Sequence, residues 1–164
     1  MNYEQVLKYA MQMELDGSNF FKDKAGNFTN PTTKALFVKL SDVEMNHYRY
    51  LERQLKAFSE EGTFDTSDEV MGREESIFKA REESEHIEET LIESDIPDLT
   101  ILRMAYLIER DYKEFYENAA EHAHDEGIKA IFTKLSKWEE GHERLFKVEY
   151  DRMMKEYMSL PWGG

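Results

Sequence analysis

Residues 9–51 of this chain recur without a gap at 104–146, at a constant offset of 95. Lys34-Ala35 returns as Lys129-Ala130, Phe37 as Phe132, and Lys39-Leu40-Ser41 as Lys134-Leu135-Ser136. Two copies of one segment fold into two similar units, and in a chain of 164 residues they share one core. Groups able to hold metal recur in the same register: Glu14 with Glu109, Glu44 with Glu139, His47 with His142. Four carboxylates and two imidazoles kept in step suggest a two-metal site built by two similar halves.

The copies have helical periodicity. Val6, Tyr9, Ala10, Met13, Gly17, Phe20 and Phe21 form an apolar stripe that predicts a helix from about Tyr3 to Asn27. Asn27 to Pro31 breaks it, with Asn30 as the expected N-cap and Pro31 in the first turn of a second helix reaching about Phe58. Residues 60–97 are the least regular stretch. Asp98 is the expected cap of a third helix from about Leu99 to His124. Asp125-Glu126-Gly127 reads as a turn, and a fourth helix runs from about Ile128 to Met158, before the tail at 160–164. With 8 Gly and 3 Pro, long uninterrupted helices are permitted, and 40% hydrophobic with 13% aromatic residues supplies a core. The expected fold is therefore all-α in one domain, 1–164: hairpin one at about 3–58, hairpin two at about 99–158, and a crossover at about 60–97. Two antiparallel hairpins joined by one long crossover define the ferritin-like four-helix bundle.

Heights along the bundle follow from the hairpins. Glu14 and Glu44 are equidistant from residue 29, and Glu109 and Glu139 from residue 124; both midpoints fall in or beside the turns. At about 1.5 Å of rise per residue, all four lie roughly 22 Å from their turns, near mid-bundle. Glu44/His47 and Glu139/His142 are Glu-x-x-His pairs that share a helix face, with Glu14 and Glu109 opposite. Glu-x-x-His also occurs at Glu83/His86 and Glu121/His124, which serve as internal controls. Neither has a partner Glu at matching height; His86 reads as a solvated crossover residue, and His122 and His124 as residues of a helix C-terminus. The other two pairs combine duplication, equal height and apolar neighbours such as Val43, Leu40, Trp138 and Leu135. Four carboxylates balance two divalent ions, so the loaded cluster is neutral and can be buried. Such ligands suit iron or manganese, without choosing between them. Asp16 and Asp111, two residues after the ligand Glu, read as exposed ion-pair partners. Phe20-Phe21 and Phe115-Tyr116 read as packing. Tyr112, one turn after Glu109, borders the metals, where it could hydrogen-bond a ligand or pass an electron.

Glu14-Leu-Asp-Gly-Ser-Asn-Phe-Phe21, Glu44-Met-Asn-His47, Glu109-Arg-Asp-Tyr-Lys-Glu-Phe-Tyr116 and Glu139-Glu-Gly-His142 together resemble the rubrerythrin branch of the ferritin-like superfamily. The resemblance implies a non-haem centre of two iron ions, a homodimer or larger assembly, and reduction of peroxide or dioxygen; the ligand types also leave manganese, or one ion of each, open. Rubrerythrins proper carry a four-cysteine rubredoxin domain. This chain has no cysteine, so a stand-alone rubrerythrin-like protein supplied by an external electron-donor protein is expected. Rubrerythrins also carry an extra Glu at the position of Tyr112. Iron handling by ferroxidation and storage, or a metal-stapled bundle without catalysis, are the alternatives.

Charge and hydropathy limit the partners. A formal net charge of −14 repels phosphate backbones and anionic membranes, so neither nucleic acid nor a membrane surface is an expected partner. The N-terminus lacks the pattern of a secretion signal and no apolar run reaches spanning length, which makes the cytoplasm the expected compartment.

Overall fold

Among the described residues the chain forms four helices and no strand. The computed structural model describes residues 1–28, 31–65 and 96–159. Helix α1 spans Tyr3–Ala25, α2 Pro31–Glu61, α3 Ile96–Glu121 and α4 Glu126–Ser159. The bundle is all-α and ferritin-like, as the loop lengths required. None of the described helices is long and apolar enough to cross a membrane.

Local chemistry sets the boundaries. The Asn2 side chain accepts from the Gln5 amide at 3.2 Å, Glu4 lies in the first turn of α1, and Lys22 and Lys24 lie in the last. Pro31 opens α2, where its missing N–H costs nothing. Gly62 closes α2 at φ +71° with its N–H on the Phe58 carbonyl at 2.9 Å, the left-handed residue that ends many helices. Asp125 Oδ1 accepts from the amides of Gly127 at 2.8 Å and Ile128 at 3.1 Å. Asp125 is thus the N-cap, and α4 starts at Glu126 rather than at the expected Ile128. Further boundaries differ from expectation: α1 ends at Ala25 rather than Asn27, α2 continues past Phe58 to Glu61, and α3 begins at Ile96, placing Asp98 inside the first turn instead of at the cap, and ends at Glu121 rather than His124. Both flanks of the expected crossover are therefore helical. Residues 66–95 of that crossover, with the Glu83/His86 pair, the Asn30 cap and the tail at 160–164 lie outside the described residues.

Helices α1 and α2 pack along their length, as do α3 and α4, and α1 meets α3 between the halves. The Tyr3 hydroxyl accepts from the amides of His124 and Asp125, each at 3.0 Å. The start of α1 thus lies at the end of α3, and the two run antiparallel. Buried Ser18 donates to the Ser41 carbonyl at 2.8 Å across the first hairpin; in the second, Arg110 and Lys113 meet Glu143 at 2.7 and 2.8 Å. Two apolar plugs fill the ends. One gathers Leu7, Leu51, Tyr116, Ile128, Phe132 and Leu135; the other Phe21, Phe37, Leu40, Leu102, Phe146 and Met153. Between them lies a polar layer, and burying it depends on the grip of both plugs.

Phe146 is 1% exposed, stacks on Phe21 at 5.5 Å and meets Phe37 edge-on at 5.5 Å. Replacing it with Ala removes this three-ring contact, so Phe146→Ala is expected to lower unfolding free energy by about 3–5 kcal/mol in denaturant titrations. A loss below about 1 kcal/mol would show that this plug does not hold the bundle together.

Candidate metal centre

The six residues singled out by the repeat meet in the middle layer. Glu14 comes from α1, Glu44 and His47 from α2, Glu109 from α3, and Glu139 and His142 from α4; none is more than 1% exposed. Each imidazole faces three carboxylate oxygens. His47 Nδ1 is 3.4 Å from Glu14 Oε2, 3.6 Å from Glu44 Oε2 and 3.3 Å from Glu139 Oε1. His142 Nδ1 is 3.4 Å from Glu44 Oε1, 3.2 Å from Glu109 Oε2 and 3.1 Å from Glu139 Oε2. The cluster therefore divides into two four-donor groups that share Glu44 and Glu139, each giving one oxygen to either side. Glu14 and Glu109 each serve one side alone. The imidazole rings lie parallel, 5.9 Å apart, and Trp138 stacks on His47 at 5.0 Å.

The donor set fits divalent metal. Donors about 2.1 Å from a common ion stand about 3.0–3.4 Å from one another, close to the spacings found here. Among the described residues, six buried carboxylate oxygens have no hydrogen bond of good geometry: Glu14 Oε2, both of Glu44, Glu109 Oε1 and both of Glu139. Buried acceptors left so are costly in a protein that ends there, and a cation satisfies them.

Protonation without metal follows from the same packing. Burial, reinforced by the charges of Glu139 and Glu44, pushes the Glu14 carboxyl well up. Burial does the same to Glu109, although His142 pulls against it. For Glu44 burial also acts upward, but the imidazoles of His142 and His47 outweigh it and hold the group low. In Glu139 burial and Glu44 are likewise overcome by His142 and His47, and the carboxylate is held down. Burial opposes charge on His47, yet Glu139 and Glu14 raise it well above the ordinary range; Glu109, Glu139 and Glu44 outweigh burial and raise His142 in the same way. Without metal, this packing favours protons on Glu14, Glu109 and the two imidazoles, and disfavours them on Glu44 and Glu139. A divalent ion would compete with those protons for the same oxygens and nitrogens.

Two tyrosines border the cluster, with hydrogen-bond partners other than those the sequence suggested. The Tyr112 hydroxyl donates to the Met13 carbonyl at 2.5 Å, not to a carboxylate. Its ring lies over Gly17, where a Cβ would come within 3.1 Å of Tyr112 Cε2; glycine is what lets α3 bring this ring so close to α1. Burial and then the four carboxylates raise its pKa, so it stays a phenol. The hydrogen bond to a cluster residue comes instead from Tyr116, read from sequence as packing, whose buried hydroxyl donates to Glu14 Oε1. A signal for it existed: Tyr116 is seven residues, two turns, beyond Glu109, at a repeat position where the first copy has Phe21. His122 and His124 lie in the turn after α3, away from the cluster: His122 Nδ1 meets the Asn118 carbonyl at 2.8 Å, and the His124 amide meets Tyr3. Asp16 is exposed, and it accepts from Gln12 at 2.8 Å.

Fold and site define a carboxylate–imidazole four-helix bundle of the ferritin-like class. A model of the rubrerythrin family matches residues 5–150, and the chain belongs to that family. No curated protein and no solved structure matches it with significance. Rubrerythrins typically bind iron, and this buried cluster and its family together fit a di-iron protein.

The proton exchange gives a pH dependence of definite sign. Glu14, Glu109, His47 and His142 hold protons more tightly folded than unfolded. Their stabilisation is complete below the unfolded values and lost as pH rises through the folded ones. Glu44 and Glu139 act oppositely, losing their contribution only as pH falls below about 4. Between about pH 5 and 8 the metal-free protein should melt at falling temperature as pH rises, while divalent metal binds more tightly. Adding Mn²⁺ at pH 6.5 should release protons, read with an indicator dye in weak buffer. Binding without proton release would show that the carboxylates and imidazoles are not the ligands.

Proposed function

We propose that this chain is a non-haem di-iron oxidoreductase of rubrerythrin type, reducing peroxide or dioxygen with electrons from an external donor protein. The observation that carries the reading is the pair of four-donor groups sharing Glu44 and Glu139. In this reading Glu14, Glu44 and His47 would hold one ion and Glu109, Glu139 and His142 the other, with Glu44 and Glu139 available to both.

When bound, two ferrous ions supply one electron each, and peroxide takes these two electrons with two protons to leave as two waters. The chain's own residues prepare that chemistry. The apolar plugs exclude water from the layer, which strengthens each charge interaction within it. Tyr116 holds Glu14 from behind, and Trp138 fixes the plane of His47. Tyr112 borders the centre at the α1–α3 face and is the side chain assigned here to electron passage. An external donor fits the composition, since these 164 residues contain no cysteine for a thiolate iron site. A homodimer and a cytoplasmic setting belong to the same proposal.

The test is turnover. Protein loaded anaerobically with Fe²⁺ should consume hydrogen peroxide when a reductant is supplied, and Glu109→Ala should fall to the uncatalysed level. Undiminished consumption in Glu109→Ala would place the chemistry elsewhere. Iron oxidation that ends after one turnover despite excess reductant would favour iron handling over catalysis.

A further inference from the structure

The repeat leads one to expect two equal metal positions, but besides the Gly17/Tyr112 pair equality is broken beside the cluster at two places. Tyr116 stands where the first copy has Phe21, and Trp138 where it has Val43. Both differences favour the same side. The Tyr116 hydroxyl engages Glu14 Oε1, so Glu14 faces His47 with Oε2 alone, at 3.4 Å. Phe21 has no hydroxyl to offer. Glu109 Oε2 is 3.2 Å from His142 Nδ1, and its Oε1 is buried without a hydrogen bond among the described residues. Glu109 can therefore grip an ion with both oxygens, and Glu14 with one. A carboxylate already hydrogen-bonded is also the weaker base. The stacked Trp138 covers the His47 ring with apolar surface, offering no further donor there.

We infer that the two positions are unequal: the Glu109/His142 position takes a divalent ion first and more tightly, and the Glu14/His47 position fills second and keeps a coordination place for a small external anion. The inference rests on the reading of the cluster as a dinuclear metal site. It follows from the donor count, five on the Glu109 side (both Glu109 oxygens, Glu44 Oε1, Glu139 Oε2, His142 Nδ1) against four on the Glu14 side. Ions that favour six oxygen or nitrogen donors fill the richer shell first. Tyr116 is then a positioning residue: by occupying one oxygen of Glu14 it keeps that shell open.

Anaerobic Co²⁺ titration of the metal-free protein, followed by visible absorption, tests this, because Co²⁺ absorbs more strongly as its donors become fewer. The expected result is two steps with affinities at least about tenfold apart, the scale on which neighbours of metal ligands act. The first step should absorb weakly and ignore azide; the second should absorb strongly and shift with azide. Tyr116→Phe, which frees Glu14 Oε1, should draw the steps together and blunt the azide response. Glu14→Gln should remove only the second step, and Glu109→Gln should weaken the first. Should Tyr116→Phe fail to fold, the two Gln variants decide alone, and equal effects on both steps overturn the inference. So do two equal steps in the wild type with azide acting from the first equivalent, although the dinuclear centre then survives. Absence of Co²⁺ binding overturns the dinuclear reading beneath it.

Discussion

Mutual repulsion among four carboxylates in one buried layer is the constraint on which the rest of this structure depends. Taken alone, these groups could not all stay ionised away from water. The protein brings two imidazoles to the same layer, so that protons or divalent ions can neutralise the cluster. The two apolar plugs then have a defined task. They supply the burial that holds an unfavourable polar layer at mid-bundle, and they keep it dry enough for its charges to act strongly on one another.

Duplication is how so small a chain meets that constraint. Each hairpin contributes a lone Glu on one helix and a Glu-x-x-His pair on the other, and antiparallel packing brings both sets to one height. Sharing Glu44 and Glu139 between the sides requires both copies at once; neither hairpin alone assembles a four-donor group. The copies have also diverged where divergence matters. Gly17 and Tyr112 occupy equivalent positions and pack against each other across the α1–α3 contact. Phe21 and Tyr116 differ by a single hydroxyl, and that hydroxyl reaches Glu14. An approximate two-fold arrangement thus surrounds a centre whose sides are chemically different.

Most of the fold was legible in the sequence because helices announce themselves by period and punctuation. The apolar stripe of Val6 to Phe21, Pro31 and the Asp125-Glu126-Gly127 turn fixed the hairpins, and the equal-height rule placed all six cluster residues together. Boundaries were less legible. Asp98 is as good a cap as Asp125 by composition, yet Ile96 and Pro97 join the helix ahead of Asp98 while Glu126 follows its cap. The tyrosines were legible in position but not in partner. Tyr112 and Tyr116 both fall on the face of Glu109, and helical spacing cannot tell which hydroxyl reaches across to α1. That depended on Gly17, which lets the Tyr112 ring settle low enough to reach the Met13 carbonyl.

The central claim is that this polar layer is a dinuclear metal centre, and metal content tests it most directly. Protein purified anaerobically from cells supplied with iron and manganese should carry about two ions per chain, as carboxylate bundles of this kind do. The Glu44→Ala/Glu139→Ala double variant, which removes both shared carboxylates, should carry none. A wild-type protein that is stably folded and metal-free would contradict the account, and the six buried groups would then be a polar core held by protons alone.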